Sequence, residues 1–166
     1  ATAAEIFSVT SPEVRLTARD TMDFSAPNID ILNDETTLHA SGEIKALTGR
    51  ASLSATDDLI VSTTGLMEIS SADFVLDVVD SASLSAAGAV SVESTNASFV
   101  ANEDAFIGAQ SVSVVADDMA DIFAQNELTV ASSSLDVSVQ NDVNMGAGGK
   151  LDVLASEIEV STMDTY

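Results

Sequence analysis

The chain of 166 residues carries 27 acidic and 5 basic side chains, one histidine and no cysteine, so its formal charge is −22 at pH 7. This charge repels nucleic-acid phosphates and anionic lipid headgroups, and the five basic residues form no cluster that could oppose the repulsion. The composition therefore argues against nucleic-acid binding, and the lack of cysteine excludes disulfides, thiolate metal sites and a cysteine nucleophile.

The hydrophobic content indicates a folded chain. Hydrophobic residues make up 46% and charged residues 19% of the sequence, which fits a packed core better than an acidic disordered tail. No apolar run approaches the ~20 residues of a membrane-spanning helix, so we expect no membrane insertion. The length predicts one domain, residues 1–166, which would also fit as a fragment of a longer shaft.

One short pattern repeats along the chain from its first residues. Each unit begins with an inward-looking apolar or small residue, and successive units begin 7 or 8 residues apart. From Ala51 onward most steps sum in threes to 23 residues, as from Ala51 to Phe74 to Ala97. The pattern recurs about 21 times, which is the signature of a repeat architecture. The units begin at Ile6, Val14, Met22, Ile29, Thr36, Ile44, Ala51, Leu59, Met67, Phe74, Ala82, Val90, Ala97, Ala105, Val112, Ala120, Leu128, Leu135, Val143, Leu151 and Ile158.

Within a unit the residues read apolar, polar, bulky, polar, small, as in VRLTA at 14–18 and FVLDV at 74–78. Alternation with a period of two predicts a strand with one buried face. A helix would need a period of 3.6, and an ordinary sandwich would need hairpin turns and unequal strands. We therefore predict an all-β fold: a three-faced β-helix (β-solenoid) with about 23 residues per coil and 7–8 residues per strand unit.

Two assemblies share this pattern. In a single-chain solenoid, residues 23 apart stack on one another, whereas in an intertwined homotrimer each chain supplies one strand per level. When the connections between strand units are compared in steps of about 23 residues, one corner of the coil has 8 acids in 12 positions. The next corner along the chain has one acid in 12 positions and carries the recurring Gly42, Gly65 and Gly88. Corners that differ in this way favour the single-chain solenoid, with each glycine expected to allow the same tight bend.

The acidic corner is the candidate binding site. Its carboxylates would stack about 4.8 Å apart, and hard cations such as Ca²⁺ or Mg²⁺ prefer oxygen ligands. The alternative is a solvated acidic edge that keeps a rod soluble and discourages sideways strand pairing. No other cofactor is expected. The candidate ligands are Asp34, Glu35, Asp57, Asp58, Asp80, Glu103 and Asp104.

The sequence lacks residues that common catalytic and metal sites require. His39 lies between inward-looking Leu38 and Ala40, so it should point outward, and neither a second histidine nor a cysteine is present to complete a zinc site or a cysteine dyad. Enzymes that cleave acidic polysaccharides need long loops and basic residues, and every connection here spans two or three residues. We therefore expect a protein that is not an enzyme.

Two surface features suggest contacts with other molecules. Outward-looking Val100 and Phe123 lie 23 residues apart, near Val75, and would form a modest apolar stripe. The repeat also runs from Ile6 to Val160 without a cap, and an uncapped solenoid exposes strand edges that invite stacking. We expect self-association, by end-to-end stacking or as a homotrimer.

Units such as LDVLASEIEV at 151–160 and PEVRLTA at 12–18 resemble the octapeptide-type repeats in the β-helical needles of phage tail spikes and of VgrG-type injection-system spikes. This resemblance in pattern covers almost the whole chain. It implies a rigid, non-enzymatic shaft or subunit of a fibre, spike or filament, located outside the cell or on a virion surface. Bactofilin-like polymers and secreted β-helical adhesins are similar in general plan. A secreted adhesin or a polysaccharide-active enzyme is the alternative.

Overall fold

A computed structural model describes residues 6–162, and within this range the chain forms fourteen β-strands and no helix. Alternating apolar and polar residues explain the strands, because one side chain in two reaches the core. The strands are β1 Ile6–Ala18, β2 Thr21–Ala40, β3 Glu43–Ala55, β4 Leu59–Thr63, β5 Met67–Val78, β6 Ala82–Ala86, β7 Ala89–Ala101, β8 Ala105–Gly108, β9 Ser111–Ala124, β10 Glu127–Ala131, β11 Ser134–Val139, β12 Asp142–Ala147, β13 Lys150–Leu154 and β14 Glu157–Thr162.

Each strand pairs in parallel with strand segments 22 or 23 residues away in the same chain. Phe74, for example, pairs with Ala51 on one side and with Ala97 on the other. The predicted all-β, three-faced β-solenoid is therefore confirmed, with about seven coils of about 23 residues. At ~4.8 Å per coil the described solenoid is roughly 35 Å long.

The coils form three faces. Face A consists of residues 6–11, 28–33, 50–55, 73–78, 96–101, 119–124 and 142–147. Face B consists of residues 13–18, 35–40, 59–63, 82–86, 105–108, 127–131 and 150–154. Face C consists of residues 21–26, 43–48, 67–71, 89–94, 111–116, 134–139 and 157–162.

Several strands are longer than the predicted unit because pairing continues around the corner from face C to face A. In β5, both Ser71 and Asp73 pair with β7, and only Ala72 between them lacks a ladder partner. One unpaired residue bends the chain without ending the ladder. The predicted units of 7–8 residues therefore merge into strands of 12 residues or more on these two faces.

The inward-facing residues form one continuous apolar core along the solenoid axis. Leu59, Met67 and Leu76 are fully buried. A small apolar cavity of about 40 Å³ lies in this core beside Ala46 and Ala51. Both alanines stack with larger residues of the neighbouring coils, since Ala46 pairs with Phe24 and Ile69. The cavity therefore lies where a small side chain interrupts a column of large ones.

The corner between faces A and B is one residue shorter in the coil that contains Asn33 than in the coil that follows it. Two residues separate the paired Asn33 and Thr36, whereas three separate Ala55 and Leu59. Asn33 and Thr36 are both buried. The Thr36 hydroxyl donates a hydrogen bond to Asn33 Oδ1 at 2.6 Å, and Asn33 Nδ2 donates to the Glu35 carbonyl at 2.5 Å. These bonds satisfy two polar side chains inside the shortened bend.

The glycine corner lies between faces B and C, where Gly42, Gly65 and Gly88 stack as predicted. The chain bends at each of them, as predicted, and no glycine among the described residues has a positive φ, so the bend needs no left-handed backbone. A Cβ on Gly65 would lie 2.3 Å from the Gly42 carbonyl oxygen, and one on Gly88 would lie 2.7 Å from the Gly65 oxygen. Glycine is required because successive backbones approach too closely for a side chain.

Candidate functional site

The seven predicted carboxylates lie at the corner between faces A and B, in two stacked columns. Backbone hydrogen bonds join successive coils there: Asp57 N donates to Asp34 O at 2.8 Å, and Glu103 N donates to Asp80 O at 3.2 Å. Glu35, Asp58 and Asp104 form the second column, each directly before the first inward residue of face B. The predicted acidic column is therefore present.

Several of these carboxylates bind groups in the next coil. Asp58 Oδ1 accepts a hydrogen bond from Ser81 N at 3.3 Å. Asp104 Oδ1 accepts from Asn126 Nδ2 at 2.8 Å and from Glu127 N at 3.2 Å. Such bonds hold the turning backbone of one coil onto the coil below. The repeat pattern did not reveal this role, although serine and asparagine interleaved with acids at 23-residue spacing are its signal.

The structure brings the carboxylates into columns without gathering them into a cluster. In the described part of the chain, no group of three or more histidine, aspartate or glutamate side chains is arranged to hold a metal ion. Ca²⁺ or Mg²⁺ binding at this corner stays a prediction from the sequence.

Three basic residues form ion pairs with acids on the outer surface. Lys150 contacts Asp152 and lies 3.5 Å from Glu127. The hydrogen bond and charge of Asp152, reinforced by the charge of Glu127, raise the pKa of Lys150 above its usual value. Arg15 and Lys45 likewise each contact two glutamates. For Lys45, the hydrogen bond and charge of Glu43 raise the pKa.

His39 lies on the outer side of face B, as predicted. Its ring is half-buried, and Nδ1 lies 2.9 Å from Ser62 Oγ in the next coil. In enzymes that use a serine nucleophile, a neighbouring histidine acts as the base, and a third group orients the histidine ring. Within residues 6–162 no carboxylate contacts His39 to orient its ring. The contact between His39 and Ser62 is therefore described as a cross-strand hydrogen bond.

An open groove of about 450 Å³ lies on the outer side of face B, next to the acidic corner. Asp58, Asp104, Ile60 and Phe106 are among the residues that line it, and the smaller Ser83 lies between Ile60 and Phe106 in the ladder. Phe106 is 39% exposed, and its ring lies over Gly108, where a Cβ would come within 2.5 Å of the ring carbons. The sequence analysis did not predict this groove. Its signal is the row of outward positions spaced 23 residues apart, which are occupied by Ile60, Ser83, Phe106 and Thr129.

The predicted apolar stripe lies on a different face. Val100 pairs directly with Phe123 on the outer side of face A, and Val75 lies two coils below Phe123, next to Ser98. Phe123 is exposed, whereas Val75 and Val100 are half-buried. The stripe is therefore narrow.

The coil formed by residues 142–162, here called the upper coil, exposes side chains that lower coils bury. Leu151 is 44% and Ile158 is 53% exposed, whereas Leu128 and Leu135 one coil below are 0% and 2% exposed. These residues are direct ladder partners, Leu128 with Leu151 and Leu135 with Ile158. Among the described residues, nothing covers this cross-section of the core.

Searches of protein-family models, curated proteins and solved structures found no match to this chain. The part of the chain that the structure describes contains no helix that could span a membrane. The class supported by the fold is a parallel single-chain β-solenoid with an acidic corner and an open upper coil.

Proposed function

We propose that this protein is a non-enzymatic structural rod, a segment or subunit of an extracellular or virion appendage such as a fibre, spike or filament. The single observation that carries the proposal is the open upper coil, where Leu151 and Ile158 continue the columns of the core and remain exposed. Burial of such residues beneath a further coil is favourable by about 25 cal/mol per Å² of apolar area.

The regular architecture supports a mechanical role. Each coil is held to the next by parallel ladders on three faces, and the corners add backbone hydrogen bonds such as Thr36 N to Asp58 O. The connections between described strands are short, so no long loop rises above the faces to enclose a substrate. Elements that contact only their neighbours can extend without changing their packing.

Electron microscopy of the 166-residue chain at rising concentration tests the proposal. We expect unbranched rods of uniform width, with a ~4.8 Å axial repeat in fibre diffraction. Ile158→Asp places a carboxylate on the exposed inner side of β14 and should prevent rod growth. Val115→Asp makes the same change in charge at an exposed site on face C and should leave rods intact.

Two results would contradict the proposal. The parent chain could remain a single-chain particle at every concentration, or Ile158→Asp could assemble as well as Val115→Asp. Circular dichroism and the melting temperature of each variant show whether the solenoid itself is folded.

The groove on face B favours an adhesin as the second candidate function. An exposed aromatic ring beside carboxylates, with Phe106 next to Asp104, is a surface suited to contact with another molecule. Binding to immobilised polysaccharides that Phe106→Ala abolishes, and that Phe123→Ala leaves unchanged, would support this function. Equal binding by both variants would exclude the groove as the adhesive site.

A further inference from the structure

The two edges of the solenoid are complementary rather than identical. Within residues 6–162, β12, β13 and β14 each pair with one strand of the coil below, and β1 pairs only with β2. All pairings are parallel, so the free side of β13 in one copy matches the free side of β1 in another. Association through such edges is head-to-tail, the heterologous kind that builds filaments.

The ladder register fixes which residues would meet at such a contact. Val14 pairs with Thr36, which pairs with Leu59, and the same column ends at Leu128 and Leu151. Val14 and Leu151 are therefore equivalent positions in the lowest and highest coils of face B within residues 6–162. A second copy that continues the register places its Val14 over Leu151 and covers the exposed inner side of β13.

The same register brings opposite charges together. Glu13 precedes Val14 as Lys150 precedes Leu151, and Arg15 follows Val14 as Asp152 follows Leu151. Glu13 of a second copy would thus lie beside Lys150, and its Arg15 beside Asp152. At the other levels of the column that contains Glu13 and Lys150, the stacked residues are mostly acidic. On face C the register sets Glu159 against Asp23, so the attraction is confined to face B.

The distribution of basic residues is consistent with this pairing. Residues 51–149 contain no lysine or arginine. Arg15 belongs to the lowest coil on face B, and Lys150 belongs to the upper coil. In a chain with a formal charge of −22, a cation at each of the two edges offsets repulsion where copies would meet.

We propose that copies of this chain join head to tail, with β13 of one copy pairing in parallel with β1 of the next. In this joint Lys150 lies beside Glu13 of the second copy, and Asp152 lies beside its Arg15. The joint rests on the proposed function as a rod and specifies its partner, a second copy, and its register.

Charge reversal with heterotypic rescue tests the joint, with the association constant measured by sedimentation. Lys150→Glu alone and Glu13→Lys alone should each weaken self-association about tenfold, because an attraction between exposed charges becomes a repulsion. An equimolar mixture of the two variants should regain the parent affinity, since every joint between unlike variants restores opposite charges. Lys45→Glu, the same substitution on a lower coil, is the matched control and should weaken association less than twofold.

The possible results separate the joint from the wider function. If the parent chain forms rods but Lys150→Glu behaves like Lys45→Glu, or mixing gives no rescue, the joint is overturned and the rod function stands. If the parent chain never associates, both are overturned. The melting temperature of each variant shows that weakened association does not come from unfolding.

Discussion

Replacing Gly65 with alanine should destabilise the solenoid, because the new methyl group meets backbone rather than a movable side chain. Its Cβ would lie 2.3 Å from the Gly42 carbonyl oxygen, and real Cβ atoms essentially never come closer than 3.0 Å. The two coils must therefore separate by at least about 0.7 Å. The same Gly42 oxygen accepts the Thr63 hydroxyl at 2.5 Å, so separation also weakens that hydrogen bond.

The expected cost follows from two opposing effects. Overpacking of this kind costs about 1–3 kcal/mol, and the smaller conformational freedom of alanine in the unfolded chain returns about 0.4–1 kcal/mol. A net loss of ~1–2 kcal/mol lowers the melting temperature by roughly 2–8 °C for a chain of this size.

Two other glycines provide matched controls. A Cβ on Gly146 has its nearest neighbour at 3.8 Å, Phe123 Cδ2, so Gly146→Ala should raise the melting temperature by about 1–4 °C. The three atoms nearest to a Cβ on Gly108 all belong to the Phe106 side chain, which is easier to displace than backbone, so Gly108→Ala should fall between the other two variants. Thermal unfolding followed by circular dichroism measures all three. Equal melting temperatures for Gly65→Ala and Gly146→Ala would refute the account of the glycine corner.

Four further predictions concern stability. Ala46→Val should fill the core cavity and raise the free energy of unfolding by about 0.5–2 kcal/mol. Ser94→Ala removes a buried hydroxyl that has no hydrogen-bond partner among the described residues, so stability should be unchanged or higher. Thr36→Val, which breaks a buried hydrogen bond, should lower stability by about 1–3 kcal/mol. Because the pKa of Lys45 is raised in the folded protein, its ion pairs stabilise the fold at pH values below the ordinary lysine pKa of 10.5. Lys45→Gln should therefore lower the free energy of unfolding at neutral pH, and this loss of stability should disappear as the pH rises above that value.

Each of these predictions has a contrary outcome in chemical or thermal unfolding. A lower melting temperature for Ala46→Val would mean that the cavity cannot accept two more methyl groups. A large loss for Ser94→Ala would mean that its hydroxyl has a partner, and no loss for Thr36→Val would remove the role of the Asn33 bond. If the loss of stability caused by Lys45→Gln stays constant through pH 11, the charge of the lysine is not its cause.

The sequence was sufficient to predict the fold because the dominant energetic requirement is periodic. Alternation with a period of two determines which side chains are buried, and the 23-residue spacing determines which of them stack. Both are visible along 51–162, where Phe74, Ala97 and their equivalents recur at regular intervals. The acidic column follows from the same spacing.

Features that depend on distances between coils could not be predicted. The glycine corner was located correctly, but its cause lies in the approach of Gly65 to Gly42 O, which no spacing reveals. The hydrogen bonds of the shortened corner were equally hidden, since the repeat places Thr36 inward as the first residue of its unit without showing that Asn33 is its partner. The groove around Phe106 depends on which outward side chains of neighbouring coils are large.

We infer that the solenoid extends into a rod by the end-to-end addition of whole copies. Particle mass and particle length, measured together over a dilution series, decide this. We predict one chain of 17.1 kDa in a particle roughly 35 Å long at low concentration, and growth in steps of that length as concentration rises. A particle of three chains, roughly 100 Å long and unchanged by dilution, would contradict the claim.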